Sequence, residues 1–289
     1  MERRFWYGIA AGGLCAVIWG GQAVVARAAV LNGLTTADVT LLRYVVSGAA
    51  LLPLCLRRRP FPVGQLGWRR GLPLVVLAGA PYTLVVVGGV ALAPALHSSV
   101  VTFGLIPIAA TVFAYPAFGE HPSFRKVAHL ALIVMGLVVV GWNSLSVGHA
   151  SAWPGYLLFA VAATMWAAFG TLIKLWHVDA IGVTATIAVL SLVSVPVWVL
   201  LLPMRLSSAH WNMIALQAGY MGLLVGVASM YLYTQAIALL GSVRASVFVA
   251  LVPLVTAFAS APVLAERPNA SEVVGMVVVV LGVVLSLRS

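Results

Sequence analysis

The chain has 289 residues, of which 63% are hydrophobic and only 8% charged, and a formal net charge of +10. So few charges cannot cover the surface of a soluble domain of this length, so the bilayer must be the solvent. The basic excess alone would suggest a nucleic-acid partner, but its distribution along the chain gives it a different meaning.

A membrane-spanning helix needs about 20 mostly apolar residues. Ten such stretches follow one another, at roughly 5–27, 38–56, 71–92, 96–118, 126–143, 153–175, 180–203, 212–239, 242–264 and 271–288. The first follows Met1-Glu-Arg-Arg and has small residues at Ala26 to Ala28, which also fits a cleavable signal peptide. A later counterpart argues against cleavage: Trp19 and Arg27 recur 147 residues on as Trp166 and Lys174. Cys15 and Cys55 fall in apolar spans without a CxxC spacing, so neither a disulfide nor a metal pair is expected.

Ten crossings put alternate span ends on the same side. Twelve basic residues (Arg3, Arg4, Arg57, Arg58, Arg59, Arg69, Arg70, Arg125, Lys126, Lys174, Arg244 and Arg288) share the side of the N-terminus. Arg27, Arg205 and Arg267 take the other side, and Arg43 lies inside the second span. This bias follows the positive-inside rule, which predicts both termini to be cytoplasmic and reads the arginines as topology signals. No nucleic-acid partner is expected.

The later spans add an internal repeat. Pro107, Pro116, Glu120, Pro122 and Gly136 recur 146 residues on as Pro253, Pro262, Glu266, Pro268 and Gly282. Five spans per half is an odd number, so two homologous halves must cross the membrane in opposite directions. The expected fold is an all-α membrane protein of ten transmembrane helices in two inverted five-helix repeats, residues 1–147 and 148–289. Glu120-His-Pro and Glu266-Arg-Pro end their spans, because proline restricts the residue before it. Each reads as an interfacial turn, or as a gate or helix-end ion pair such as Glu120 with Arg125. Pro81, Pro107 and Pro253 with Gly88, Gly89 and Gly226 are hinge candidates, although small residues also serve close helix packing.

The Trp-containing first spans of each half (Ala16 to Gly20 and Ala163 to Trp166), Pro107 and Pro253, and the two Glu-x-Pro turns resemble the drug/metabolite transporter superfamily, ten-helix EamA type. Within it the chain is most similar to bacterial amino-acid exporters, including the aromatic amino-acid group. The resemblance implies inner-membrane export of small metabolites through a central cavity lined by spans three, four, eight and nine. No cofactor is implied.

All six carboxylates (Glu2, Asp38, Glu120, Asp179, Glu266 and Glu272) fall at or near span ends, which disfavours a carrier of cationic drugs that would need a buried acid. Candidate pathway residues are therefore neutral, aromatic or basic: Trp19, Arg43, Tyr82, Thr83, His97, Ser98, Ser99, Thr102, Trp166, Ser229, Tyr231, Gln235, Arg244 and Ser246. Hydroxyls offer directional hydrogen bonds, and ring faces attract an ammonium group. His97 is either a proton-coupling group or a satisfied helix-end histidine. Arg43 and Arg244 are candidates for a substrate carboxylate. No metal site is formed by the histidine spacings. The expected activity is secondary export of neutral or zwitterionic metabolites, amino acids foremost. Sugar phosphates or nucleotide sugars are the alternative substrates, and an intramembrane enzyme, for which no HExxH, GxSxG or embedded aspartate pair is present, is the alternative class. The oligomeric state is open.

Overall fold

A span that has no water to bond its backbone must satisfy its amides internally, and the result here is helix after helix. The computed structural model describes residues 2–57, 63, 66–146, 152–178 and 180–287, among which there is no strand. The first half contains α1 (Glu2–Leu31), α2 (Thr36–Leu56), α3 (Trp68–Ala78), α4 (Ala80–Leu92), α5 (Ala95–Phe118) and α6 (Phe124–Ser146). The second contains α7 (Trp153–Trp176), α8 (Ala180–Leu201), α9 (Trp211–Gln217), a π-helical stretch (Ala218–Ala228), α10 (Ser229–Leu240), α11 (Ser242–Ala250), α12 (Val252–Leu264) and α13 (Ala270–Ser286). Joined across their breaks, these give nine helices long and apolar enough to cross a membrane among the described residues, plus the shorter apolar α13. The ten expected spans are therefore present. The expected boundary at 147/148, with Asp179, Arg58, Arg59 and Arg288, lies outside the described residues.

The packing follows the duplication. α1 lies against α10 and α12, and its counterpart α7 lies against α4 and α5, while α2 pairs with α8 and α6 with α13. The last two pairings join each helix to its own repeat mate, as an inverted two-fold arrangement requires. At the α6–α13 crossing the repeated glycines explain themselves. A Cβ on Gly136 would lie 2.7 Å from the Gly275 carbonyl oxygen, and one on Gly282 would lie 3.0 Å from the Ile133 nitrogen. Small residues let the two backbones touch. Outside, Trp6, Tyr7, Trp68, Trp142, Trp153 and Trp211 are exposed near helix ends, where interfacial aromatics belong.

Three spans depart from regular helix, each close to a hinge candidate. The third breaks at Gly79, two residues before Pro81, and side chains meet the freed backbone groups. The Tyr44 hydroxyl donates to the Ala78 carbonyl at 3.3 Å, and the Ala80 amide donates to Ser191 Oγ at 3.1 Å. The ninth breaks at Leu251, so that Pro253 falls in the first turn of α12, where a missing N–H costs nothing. The eighth widens into the π stretch, which contains Gly222 and Gly226 against Val46 and Ser47 of α2. The other candidates differ. α5 runs past Pro107 without a break. Gly89 is a packing position, since a Cβ there would lie 2.3 Å from the Phe159 ring, and Gly88 faces Leu158 at 3.4 Å.

Alanine at Gly136 or Gly282 should destabilise the protein by about 1–3 kcal/mol through overpacking, whereas Gly141→Ala, with nothing within 4 Å of its Cβ position, should be tolerated. Thermal unfolding of the detergent-purified variants measures the difference.

Candidate functional site

At the centre of the bundle lies a chamber of about 60 Å³ lined by α1 (Trp19, Gln22, Ala23), α2 (Arg43), α4 (Tyr82, Val86), α5 (Ser98, Ser99, Thr102, Phe103, Ile106), α7 (Trp166), Val225 of the π stretch and Met230 of α10. A second space of about 40 Å³ lies alongside and shares Arg43, Trp166, Val225 and Met230 with it. Both are far smaller than the roughly 300–1,000 Å³ of ordinary small-molecule sites. A vestibule of about 690 Å³ is large enough, and it is walled by α5 and α7, including Pro107, Thr111, Phe118, Glu120, Trp166 and Lys174. Trp166 lines all three spaces and Ile106 lines the chamber and the vestibule, so these two side chains border both sides of the boundary between them.

A ring cluster holds the Trp166 indole. The Trp166 centroid is 5.3 Å from Tyr82, 5.3 Å from Phe169 and 6.3 Å, edge-on, from Trp19. Trp19 stacks on Phe103 at 6.5 Å and donates its indole N–H to Ser229 Oγ at 2.9 Å. Spaced 147 residues apart, the two tryptophans thus meet at the centre of the bundle, each also touching the partner half's third-span helix: Trp166 meets Tyr82 of α4, and Trp19 meets Ser229 of α10.

The opposite end of the bundle is closed by polar contacts. Glu266 accepts from Arg27 Nε at 3.3 Å through one oxygen and from the Ala95 amide at 3.0 Å through the other. Arg27 Nη1 also donates to the Val90 and Ala91 carbonyls at 2.6 and 3.1 Å. The acid thus sits on the N-terminus of α5 and the base on the C-terminus of α4, each where the helix dipole favours its charge. Beside them His97 Nε2 faces Glu272 at 3.1 Å, where the ring N–H donates to the carboxylate, and Nδ1 shares a hydrogen bond with the Tyr156 hydroxyl at 2.7 Å. His97 is therefore a clasp of the closed end and does not line the chamber.

The repeat mate of the Arg27–Glu266 pair is Lys174–Glu120, at 3.1 Å. Glu120 sits in the interfacial turn expected of it, and the ion pair it makes is with the lysine of the neighbouring α7, where the alternative reading had offered Arg125. The two pairs differ in surroundings: Arg27 and Glu266 are 18% and 22% exposed, Lys174 and Glu120 62% and 58%. Lys174 reaches Phe118, 4.2 Å above its ring, and Glu120, both from the α5 segment. Adding the 147-residue offset of the earlier spans to Val90 and Ala91, and the 146-residue offset of the later ones to Ala95, gives Ile237, Ala238 and Gly241, and among the described residues no hydrogen bond joins these to the exposed pair. One end is tied across α1, α4, α5, α7 and α13, while the other opens into the vestibule.

Seven of the fourteen predicted pathway residues share the central chamber: Trp19, Arg43, Tyr82, Ser98, Ser99, Thr102 and Trp166. Thr83 instead bonds the Tyr44 hydroxyl at 3.0 Å near the Gly79 break. Ser229 supports Trp19, and Gln235 and Ser246 are half-buried away from the chamber lining. Tyr231 is 55% exposed on the outer face of α10, and Arg244 is exposed at the start of α11. The correction at Tyr231 is geometric. Residues two apart on a helix point about 200° apart, so Tyr233, which lies 5.1 Å from Trp19, excludes Tyr231 from the same face. Span nine contributes nothing to the chamber lining, while α1, α2 and α7 do. Gln22, Phe103 and Met230 also line the chamber; Gln22, a lone polar side chain in an apolar run, carried a signal that could have found it, whereas Met230 carried none.

Two further observations place this architecture. The EamA-like transporter family matches residues 6–142 and again residues 153–288. The chain belongs to that family. A protein of known crystal structure has the same fold, with a TM-score of 0.66 and 17% identity over 99% of this chain and 96% of the other. No curated protein sequence matches the chain. This EamA-family chain is thus a membrane transporter, and its two family units carry the two tryptophans and the two ion pairs at matching positions.

If Trp166 divides the chamber from the vestibule, Trp166→Ala should join them. A cysteine replacing Ser98 should then react faster with a water-soluble thiol reagent than it does with Trp166 intact, while buried Cys15 and Cys55 stay slow in both.

Proposed function

We propose that the protein is a secondary transporter exporting small neutral or zwitterionic metabolites, amino acids foremost, across the bacterial inner membrane by alternating access. Both termini are cytoplasmic in this reading, which rests on the twelve basic residues gathered at their end of the spans. The vestibule beside Glu120 then faces the cytoplasm, and the structure is inward-open.

The observation that carries the reading is the inequality of two repeat-related ion pairs. Arg27–Glu266 engages the ends of α4 and α5, whereas Lys174–Glu120 leaves the equivalent positions near Ile237, Ala238 and Gly241 untouched. An inverted repeat can exchange the roles of its halves. In the outward-open state Lys174 and Glu120 would close on α10 and α11 while Arg27 and Glu266 let go of α4 and α5. Trp19 and Trp166 would exchange roles on either side of the substrate.

Support for the substrate class comes from the lining. Among the described residues no Asp or Glu borders the chamber, which leaves a cationic drug without a counter-charge. Arg43 is its single basic residue. Sugar phosphates, with two negative charges, would call for more, and Arg244 is exposed elsewhere.

Purified protein in liposomes should accelerate efflux of at least one member of a radiolabelled amino-acid panel, and no acceleration of any member would refute the substrate assignment. Glu266→Gln should loosen the closed end, so that a cysteine at Ser99 becomes reactive to an impermeant thiol reagent added from that side. Unchanged protection would remove the ion pair from the gate.

A further inference from the structure

The second span buries a guanidinium that the protein itself leaves unanswered. Arg43 is 9% exposed, and neither its Nε nor its Nη1 has a hydrogen-bond partner. Its nearest electronic support is the Tyr44 ring, 5.4 Å from the guanidinium carbon. A buried, unpaired cation is costly, and buried charges are ordinarily paired. The acids that might serve are committed elsewhere: Asp38 to its capping box and the Arg205 amide, Glu120 to Lys174, Glu266 to Arg27, and Glu272 to His97 and the Asn269 amide.

Thr102 supplies a second, independent sign. Buried hydroxyls in these helices bond back to the carbonyl four residues earlier, as in Thr40, Ser47, Ser229 and Ser260. Thr102 Oγ1 is buried and makes no such bond. It lines the same chamber as Arg43, so two donors without acceptors border one small space.

We infer that the central chamber is a carboxylate site, in which Arg43 takes the substrate's carboxylate through its planar N–H groups and Thr102 donates its hydroxyl to the same anion. The carboxylate, and not the ammonium, is then the group the transporter recognises. Guanidinium geometry favours a two-oxygen acceptor, and the missing acid in the chamber lining leaves an ammonium group with ring faces alone. At about 60 Å³ the chamber accepts the carboxylate end, and the rest of the substrate extends past a displaced Trp166 toward the vestibule. This inference rests on the transporter reading above, and it extends it from amino acids to organic acids that lack an amino group.

Binding can be measured separately from flux. Isothermal titration of the protein in lipid nanodiscs would compare four probes that share a phenylethyl body: 3-phenylpropionate, phenylalanine, 3-phenylpropionamide and phenethylamine. The two carboxylates should bind, with 3-phenylpropionate at least as tight as phenylalanine, and the amide and amine should be weaker by on the order of 10- to 100-fold. Arg43→Gln should abolish that preference, Thr102→Val should reduce it, and Arg43→Lys should retain part of it. Equal binding of the amide or amine, absence of carboxylate binding, or tighter binding of inorganic phosphate would each overturn the proposal. So would carboxylate affinity unchanged by Arg43→Gln.

Ligand-free thermal stability separates a binding role from a structural one. Removing a structural arginine lowers the unfolding temperature, whereas removing an unpaired guanidinium should leave it unchanged or raise it. A marked fall in the Arg43→Gln variant therefore counts against the site. Arg43-dependent carboxylate binding without liposome flux would sink the export reading and leave the site standing; flux indifferent to Arg43 and to ligand charge would do the reverse.

Discussion

In a bilayer every backbone amide must find its partner inside the protein, and the shape of this transporter follows from how it meets that demand where helices are interrupted. At Gly79 the break is tolerated because Tyr44 of α2 and Ser191 of α8 supply the hydrogen bonds that α3 and α4 cannot. At Leu251 a proline is placed where its missing amide is harmless. Between Ala218 and Ala228 the helix widens and presents glycines to α2. At the Gly79 break a change of bend costs least, since neighbours already hold the freed groups.

Duplication supplies the second half of the logic. Each repeat provides one tryptophan for the centre, one member of each end's ion pair and one glycine for the α6–α13 crossing. With both halves in the same conformation, the ion pairs would have equivalent surroundings. Instead one pair sits on helix termini that reward its charges, and the other is largely solvated. Exposed pairs contribute little, so the solvated end is the weaker of the two, and the vestibule opens there. The small central chamber is what lies between, with Arg43 as its one fixed charge.

Apolar periodicity and the 146-residue repeat were sufficient to read the ten spans and their inverted pairing, because the bilayer constrains length and hydropathy so strongly. The pathway was only half legible. Residues of the first, second, fourth and sixth spans, such as Trp19, Arg43, Ser98 and Trp166, could be singled out because polar or aromatic groups are uncommon amid apolar runs. Tyr231 and Gln235 fall away from the chamber because five of the seven residues from Ser229 to Gln235 are polar or aromatic and cover every face of their helix, and rotation around the axis depends on how α10 leaves the π stretch and packs on α1.

Sequence by itself determined that the protein spans the membrane ten times, that its halves are related by inversion, and which charges avoid the core. These follow from local quantities: hydropathy, proline geometry and the spacing of identities. Tertiary structure alone decided that Glu120 meets Lys174 and not Arg125, that Glu266 closes on the ends of α4 and α5, and that Arg43 and Thr102 border one space without acceptors of their own. Each of these depends on which helix faces are apposed, and side chains 50 to 240 positions apart carry no mark of their partner in the apolar runs that surround them.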